Sequence, residues 1–290
     1  MNIQKLKIAP KSDSWDMIIT PDRKWWDLKL YEVWRYRELI FMFVSRRFAA
    51  SYKQTIIGPY WHLIRPLFSS GIYTIIFGKL AQLPTDDIPP FLFYMSGNII
   101  WNYFSSCLSG TSNTFTANSA MFEKVYFPRL IMPLTTIVAN LAQFGIRFLV
   151  FAGLLIYFLV ADFPITPNWW MLLTPVLLLM MAGLGLGAGI ITSSLTTKYR
   201  DLGILVNFGL NLLMYATPVI YPASMIPTQF QFFYFLNPVA PIVEAFRYGF
   251  LGAGTVDFLK IGYSFVFMVI LLMIGLVMFN KIEATFLDTV

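Results

Sequence analysis

Asn98, Asn102, Ser105, Ser106, Ser109, Asn113 and Thr116 recur in steps of three and four through an otherwise apolar stretch. On a helix that spacing draws one stripe along one face. Asn207, Asn211 and Tyr215 repeat the pattern further along the chain. Amides and hydroxyls in apolar surroundings have two uses. They hydrogen-bond between neighbouring helices, or they line a wet route for a polar molecule. The pattern alone allows both. Candidates for a substrate path are Asn98, Asn102, Ser106, Ser109, Asn113, Asn207, Asn211 and Tyr215.

Two charged residues stand out from the same apolar background. Arg147 lies near the middle of an apolar run, too deep for its head to reach the interface easily. Glu244 is the only carboxylate in the proline-broken stretch 223–250. The expectation is that Arg147 and Glu244 pair and tie that stretch to the rest of the chain. Residues for covalent or metal chemistry are scarce. One cysteine, Cys107, and one histidine, His62, leave no zinc site of His and Cys and no disulfide framework within the chain. "GLGLGA" at 183–188 has the look of a dinucleotide fingerprint, but it sits inside an apolar run with no strand before it. Its glycines instead make two overlapping GxxxG pairs, Gly183/Gly187 and Gly185/Gly189, suited to close helix packing. The sequence contains no Walker A pattern for binding ATP.

The elements that must hold these residues follow from composition. The chain has 290 residues, 57% of them hydrophobic and only 12% charged, with a mean hydropathy of +0.65. Several apolar runs reach the ~20 residues that a helix needs to cross a bilayer. Period-2 patterning of a membrane barrel is absent. The expected fold is all-α and integral to the membrane. It has six transmembrane helices, at about 61–83, 91–117, 131–160, 170–195, 202–221 and 257–280. The segment 223–250 is apolar but interrupted by Pro227, Pro238 and Pro241. It reads as re-entrant helices between spans 5 and 6, or as a folded external loop. Residues 1–60 read as a cytoplasmic arm followed by an amphipathic interfacial helix over 31–55, and 61–290 as the six-span domain. Trp34, Phe41, Val44, Phe48 and Tyr52 mark one face of that helix, and Arg46, Arg47 and Lys53 flank it. With Arg65, these basic residues suit a cytoplasmic interface or lipid headgroups.

Orientation follows from the basic residues. Seventeen Lys and Arg fall on one side of the expected spans, against Lys79, Arg247 and Lys260 on the other. Both termini are therefore expected in the cytoplasm. Residues 1–38 lack an apolar h-region, so a signal peptide is not expected. The net charge of +6 reflects topology and does not imply nucleic acid.

Several motifs in order resemble the type-2 ABC exporter permeases. They are "WRYRELIFMFVSRRFAASYKQTIIGPYWHLIRPL" at 34–67, "MFEKVYFPRLIMPL" at 121–134, "KYRDL" at 198–202, "ATPVIYP" at 216–222, "LNPVAPIVEAFRYG" at 236–249 and the tail "FNKIEATFLDTV". The subfamily most similar exports O-antigen, capsule or teichoic acid polysaccharides. The resemblance implies a half-transporter that pairs with a second copy of itself and with two separate ATPase subunits, which hold ATP and Mg. It implies a lipid-linked glycan as substrate, moved outward across the bacterial inner membrane, with no cofactor in this chain. It also places Glu123, Lys124, Val125, Tyr126, Phe127, Pro128 and Arg129 at the ATPase-coupling position, with Phe127 and Tyr126 filling a cleft on the ATPase. Two transport readings remain, a polysaccharide exporter and an exporter of drugs or small lipids. A membrane glycosyl- or acyltransferase would want a cluster of carboxylates or histidines at one face, and none occurs. A non-transporting scaffold leaves Arg147 unexplained.

Overall fold

Proline and glycine decide where the principal helices begin and stop. Pro90 occupies the first position of α4 (Pro90–Ser112), where a missing N–H breaks no helical bond. Gly252 closes α10 (Ala240–Leu251) in the left-handed region, at φ 74°. A Cβ at Gly252 would lie 2.0 Å from Thr166 Oγ1, so the close approach also requires glycine. The computed structural model describes residues 30–52, 60–122, 124, 125, 127–196, 199 and 201–289, without the side chains of 30, 51, 52, 62 and 283–289. The expected arm at 1–29, Lys53, Glu123 and Tyr126 lie outside the described residues.

Every regular element among the described residues is helical. α1 (Leu30–Arg35) and α2 (Arg37–Tyr52) precede α3 (Trp61–Tyr73), which continues as a π-helical turn over Thr74–Leu80. After α4 come α5 (Thr114–Phe122) and α6 (Ile131–Val160). A 3-10 turn over Trp169–Leu173 leads into α7 (Thr174–Thr196). Then follow α8 (Leu202–Tyr215), α9 (Gln231–Leu236), α10 and α11 (Phe258–Thr289). Three helical stretches, Ile131–Val160, Trp169–Thr196 and Phe258–Ile282, are long and apolar enough to cross a membrane. α8 is apolar but shorter, with 14 residues spanning roughly 21 Å.

α4 is the axis of the packing, in contact with α3, α6, α7, α8 and α10. Phe93, Tyr94, Met95, Ile99 and Ile100 on it are fully buried. Lipid chains are as apolar as these side chains, so the gain comes from close van der Waals contact rather than from escape from water. The glycines of α7 provide that closeness on two sides. A Cβ at Gly185 would meet Cys107 Cβ at 2.8 Å, and one at Gly189 would meet Thr111 Cβ at 2.6 Å, both on α4. Gly183 and Gly187 face α11 instead, through Met268 and the Leu271 backbone. Each GxxxG pair therefore serves a different neighbour.

A second, smaller core joins Val33 of α1 to Phe115, Phe122, Phe127, Leu130, Ile131, Ile190 and Phe279. Tyr36, Leu39, Ile40 and Phe43 pack against it as α2 docks on α6. Of the residues expected along the apolar face of the interfacial helix over 31–55, Trp34 and Phe41 are 68% and 64% exposed. α2 carries apolar side chains on both faces because one side meets α6 and the other points away from the protein.

Candidate functional site

The polar stripe of α4 faces a cavity of about 730 Å³. Asn98, Asn102, Ser105, Ser106 and Ser109 come from α4, and Asn207 and Asn211 meet them from α8. Six of the eight path candidates thus converge on one wall-to-wall space. Two do not. Asn113 is the residue after α4, where the helical phase ends, and its side-chain amide donates back to the Ser109 carbonyl at 3.3 Å. Tyr215, the last residue of α8, is 62% exposed and lies outside the lining.

The stripe serves both of the uses open to it. Asn98 Nδ2 donates to Ser69 Oγ of α3 at 2.7 Å, and Asn102 hydrogen-bonds to the Asn98 side chain and carbonyl. Ser109 Oγ donates to Asn207 Oδ1 at 3.1 Å, linking α4 to α8. These bonds fix the amides in place, and the same groups remain in the cavity wall.

Sequence reasoning missed part of the lining. Ser69 and Tyr73 of α3, Trp101 of α4, and Asn140 and Gln143 of α6 complete it. Asn140 and Gln143 carry a helical three-residue step within an apolar run, which is the signal that would have found them. Three arginines also line the cavity: Arg47 from α2, Arg65 from α3 and Arg147 from α6. Arg47 Nη1 donates to Thr136 Oγ1 at 3.0 Å, which holds α2 against α6 beside the cavity. Arg46 is exposed and outside the lining.

The expected Arg147–Glu244 pair does not form. Glu244 is buried on α10 and accepts a hydrogen bond from Tyr234 of α9, whereas Arg147 faces the cavity. The short helix α9 brings Tyr234 back over α10, so the carboxylate is satisfied locally. The link between the 223–250 stretch and the bundle is made by other residues. Arg247 donates from Nη2 to the Val219 carbonyl at 3.1 Å, and its guanidinium lies 3.8 Å from the centre of the Phe93 ring. Asn237 Nδ2 donates to Thr217 Oγ1 at 2.9 Å, at the end of α8.

The connection between α5 and α6 also differs from its expected role. Phe127 is 5% exposed, and its ring packs on Phe43 and Phe122 with centroids 5.9 and 5.7 Å away. It fills a space within its own chain rather than presenting an aromatic to a partner. Pro128 is buried too, and Arg129 lies beneath the surface with its guanidinium 5.6 Å from the Phe122 ring centre. Among the described residues of this turn, Lys124 and Val125 are exposed, Val125 at 59%.

Three helical stretches of the bundle are long and apolar enough to cross a membrane, and one of them, α6, walls the polar cavity, which defines a membrane protein with a polar space within its fold. The ABC-2 type transporter family matches residues 38–251, and the chain belongs to that family. It is 28% identical over 252 residues to the O-antigen export system permease protein RfbA of Klebsiella pneumoniae, covering 87% of this chain and 94% of that one. The RfbA protein of Myxococcus xanthus is 27% identical over 219 residues, 74% of this chain and 81% of its own. The polysialic acid transport protein KpsM of Escherichia coli is 26% identical over 237 residues, 80% and 89% of the two chains.

Proposed function

We propose that this chain is the permease subunit of an ATP-driven exporter that moves lipid-linked polysaccharide from the cytoplasmic to the outer face of the bacterial inner membrane. The observation that carries it is the cavity, in which amides and hydroxyls from α3, α4, α6 and α8 converge inside an apolar bundle. A polymer of sugars needs many weak, similar contacts so that it binds and still advances, as an ion must in a channel. Asn98, Asn102, Ser106, Ser109, Asn207 and Asn211 supply such contacts, and Trp101 and Tyr73 add aromatic faces on which sugar rings stack. A drug or small-lipid exporter would be served by a more apolar path. The names of the relatives support the same reading, since RfbA is an O-antigen export permease and KpsM a polysialic acid transport protein.

In this reading residues 61–290 form six spans, with α3 and its π turn, α4, α6, α7, α8 and α11 crossing the membrane and both termini in the cytoplasm. α9 and α10 dip in from the outer side and return. Two copies face each other. Supporting this, the cavity-walling helices α3, with its π turn, and α8 also carry exposed apolar side chains: Phe68, Ile72 and Ile75, and Ile204, Phe208 and Leu212. Two separate ATPase subunits hold ATP and Mg and press on the α5–α6 turn through Lys124 and Val125. Arg46 lies at the cytoplasmic interface, near lipid headgroups. No covalent step falls to this chain.

Deleting the gene for this chain, in a strain with no redundant exporter, is expected to remove the polymer from the cell surface and leave it inside. Extraction and gel analysis of surface and cytoplasmic glycan read the outcome. Normal surface polymer in the deletion strain would refute the export function.

A further inference from the structure

A second cavity, of about 320 Å³, opens where α9 and α10 meet the start of α11. Phe232, Phe235 and Leu236 of α9 and Leu259 of α11 wall it, and two of its three polar side chains are already engaged. Tyr234 donates its hydroxyl to Glu244, and Tyr263 donates to the Leu236 carbonyl at 3.1 Å. The third, Lys260, is the one charged residue in the lining among the described residues. Its ammonium lies 4.7 Å from the centre of the Phe235 ring and 6.0 Å from that of Tyr234. Glu244 and Asp257 belong to the adjoining segments but stay out of the lining, and Asp257 accepts from the Leu259 amide at 2.9 Å.

The surroundings of this cavity are those of a membrane edge. Phe258 opens α11, and the ring of Trp170 packs on it with centres 4.8 Å apart. Trp169 beside it is exposed. Tryptophans gathered at the end of a membrane-length helix mark the level of the lipid headgroups. From there Leu259, Tyr263, Val266, Ile270 and Met273 follow in steps of four and three, and all five are exposed. They draw one apolar stripe down the outside of α11. It is roughly 21 Å long, enough for one leaflet's half of a hydrocarbon core about 30 Å thick.

We propose that this cavity and the stripe below it seat one anionic phospholipid of the surrounding bilayer. Its phosphate meets Lys260, and one acyl chain runs from between α9 and α11 down the α11 stripe. Charge complementarity selects the headgroup. A lipid with net negative charge satisfies the ammonium, whereas a choline headgroup brings a cation of its own against it. The lysine stem lies along apolar rings while its head stays at headgroup depth, as long basic side chains do at a membrane edge. A cavity at the small end of ligand sites suits a single chain rather than a bulky molecule. In the orientation proposed above the lipid belongs to the outer leaflet, and the binding itself does not depend on that orientation.

The test is photo-crosslinking of the full-length chain in phosphatidylcholine nanodiscs. The probes are phosphatidylglycerol and phosphatidylcholine with the same diazirine-bearing acyl chain, and mass spectrometry locates the labelled peptides. The phosphatidylglycerol probe is expected to label α9 and the first half of α11 about fivefold or more strongly than the phosphatidylcholine probe. Lys260→Gln is expected to bring the two probes to equal labelling there, and Lys260→Arg to keep the preference. Labelling of α2, beside the exposed Arg46, should not change in either variant, which separates a local loss from a general loss of anionic lipid. If Lys260→Gln does not accumulate, the comparison of the two probes on the unaltered chain still decides. Equal labelling by both probes on the unaltered chain would mark a crevice open to any lipid and overturn the proposal. So would a phosphatidylglycerol preference that survives Lys260→Gln, or α9 left unlabelled by both probes. No ATPase or glycan export enters this assay, so its failure is separate from failure of the deletion experiment.

Discussion

Gly189→Val is expected to lower the melting temperature of this protein and its yield in the membrane. The first added carbon would lie 2.6 Å from Thr111 Cβ and 3.0 Å from the Leu108 carbonyl oxygen. Backbone and Cβ atoms cannot step aside as a flexible side chain does, so α7 and α4 must move apart. Separation forfeits close contacts along the most extensive helix pair of the fold, where packing rather than water exclusion provides the attraction. Overpacking in a well-filled core costs about 1–3 kcal/mol, and the two valine methyl groups put this site at the upper end. About 3 kcal/mol corresponds to a fall in Tm of roughly 6–12 °C in a chain of this size. Thermal unfolding in detergent measures it, together with the yield in the membrane fraction. Gly145→Ala is the comparison, because nothing lies within 4 Å of a Cβ at Gly145. If Gly189→Val melts with the parent, the α4–α7 contact is not what holds the bundle.

The glycine result shows what sequence spacing conveys. A GxxxG pair announces a close helix contact without saying with which helix. Gly183 and Gly187 turn to α11 while Gly185 and Gly189 turn to α4, because successive residues differ by about 100° around α7. The polar stripe was legible for the same reason: steps of three and four place Asn98, Asn102, Ser106 and Ser109 on one face whatever the neighbours are. Asn113 broke the pattern only because α4 ends before it. Arg47, Arg65 and Arg147 were legible singly but not as a group. They stand on three helices, and their convergence depends on how α2 and α3 dock against α6. Glu244 was misassigned because charge matching ignores distance. Its partner is the phenol of Tyr234, ten residues away on the preceding short helix. Burial at Phe127 was hidden for a related reason. An aromatic among charged residues reads as a contact for a partner until α1 and α2 fold back to cover it.

That last correction separates two variants with opposite signatures. Phe127→Ala removes a buried ring held by Phe43 and Phe122, and is expected to cost about 3–5 kcal/mol of stability, chiefly by loosening the docking of α1 and α2. Lys124→Glu with Val125→Asp changes only exposed side chains and is expected to shift stability by less than about 0.5 kcal/mol per site. Its effect falls on export. If this turn is where the ATPase pushes, reversing a charge and adding another at the contact weakens it by several kcal/mol of like-charge and desolvation cost. Surface polymer should then fall at least tenfold while the chain keeps its melting temperature and its place in the membrane. Co-purification of the ATPase should fall in step, which a defect within the spans would not cause. The reverse pattern would return Phe127 to the interface: export lost in Phe127→Ala at an unchanged melting temperature, with the double variant active. The two assays test whether the turn divides into a buried half that anchors the N-terminal helices and an exposed half that receives the proposed push of the ATPase.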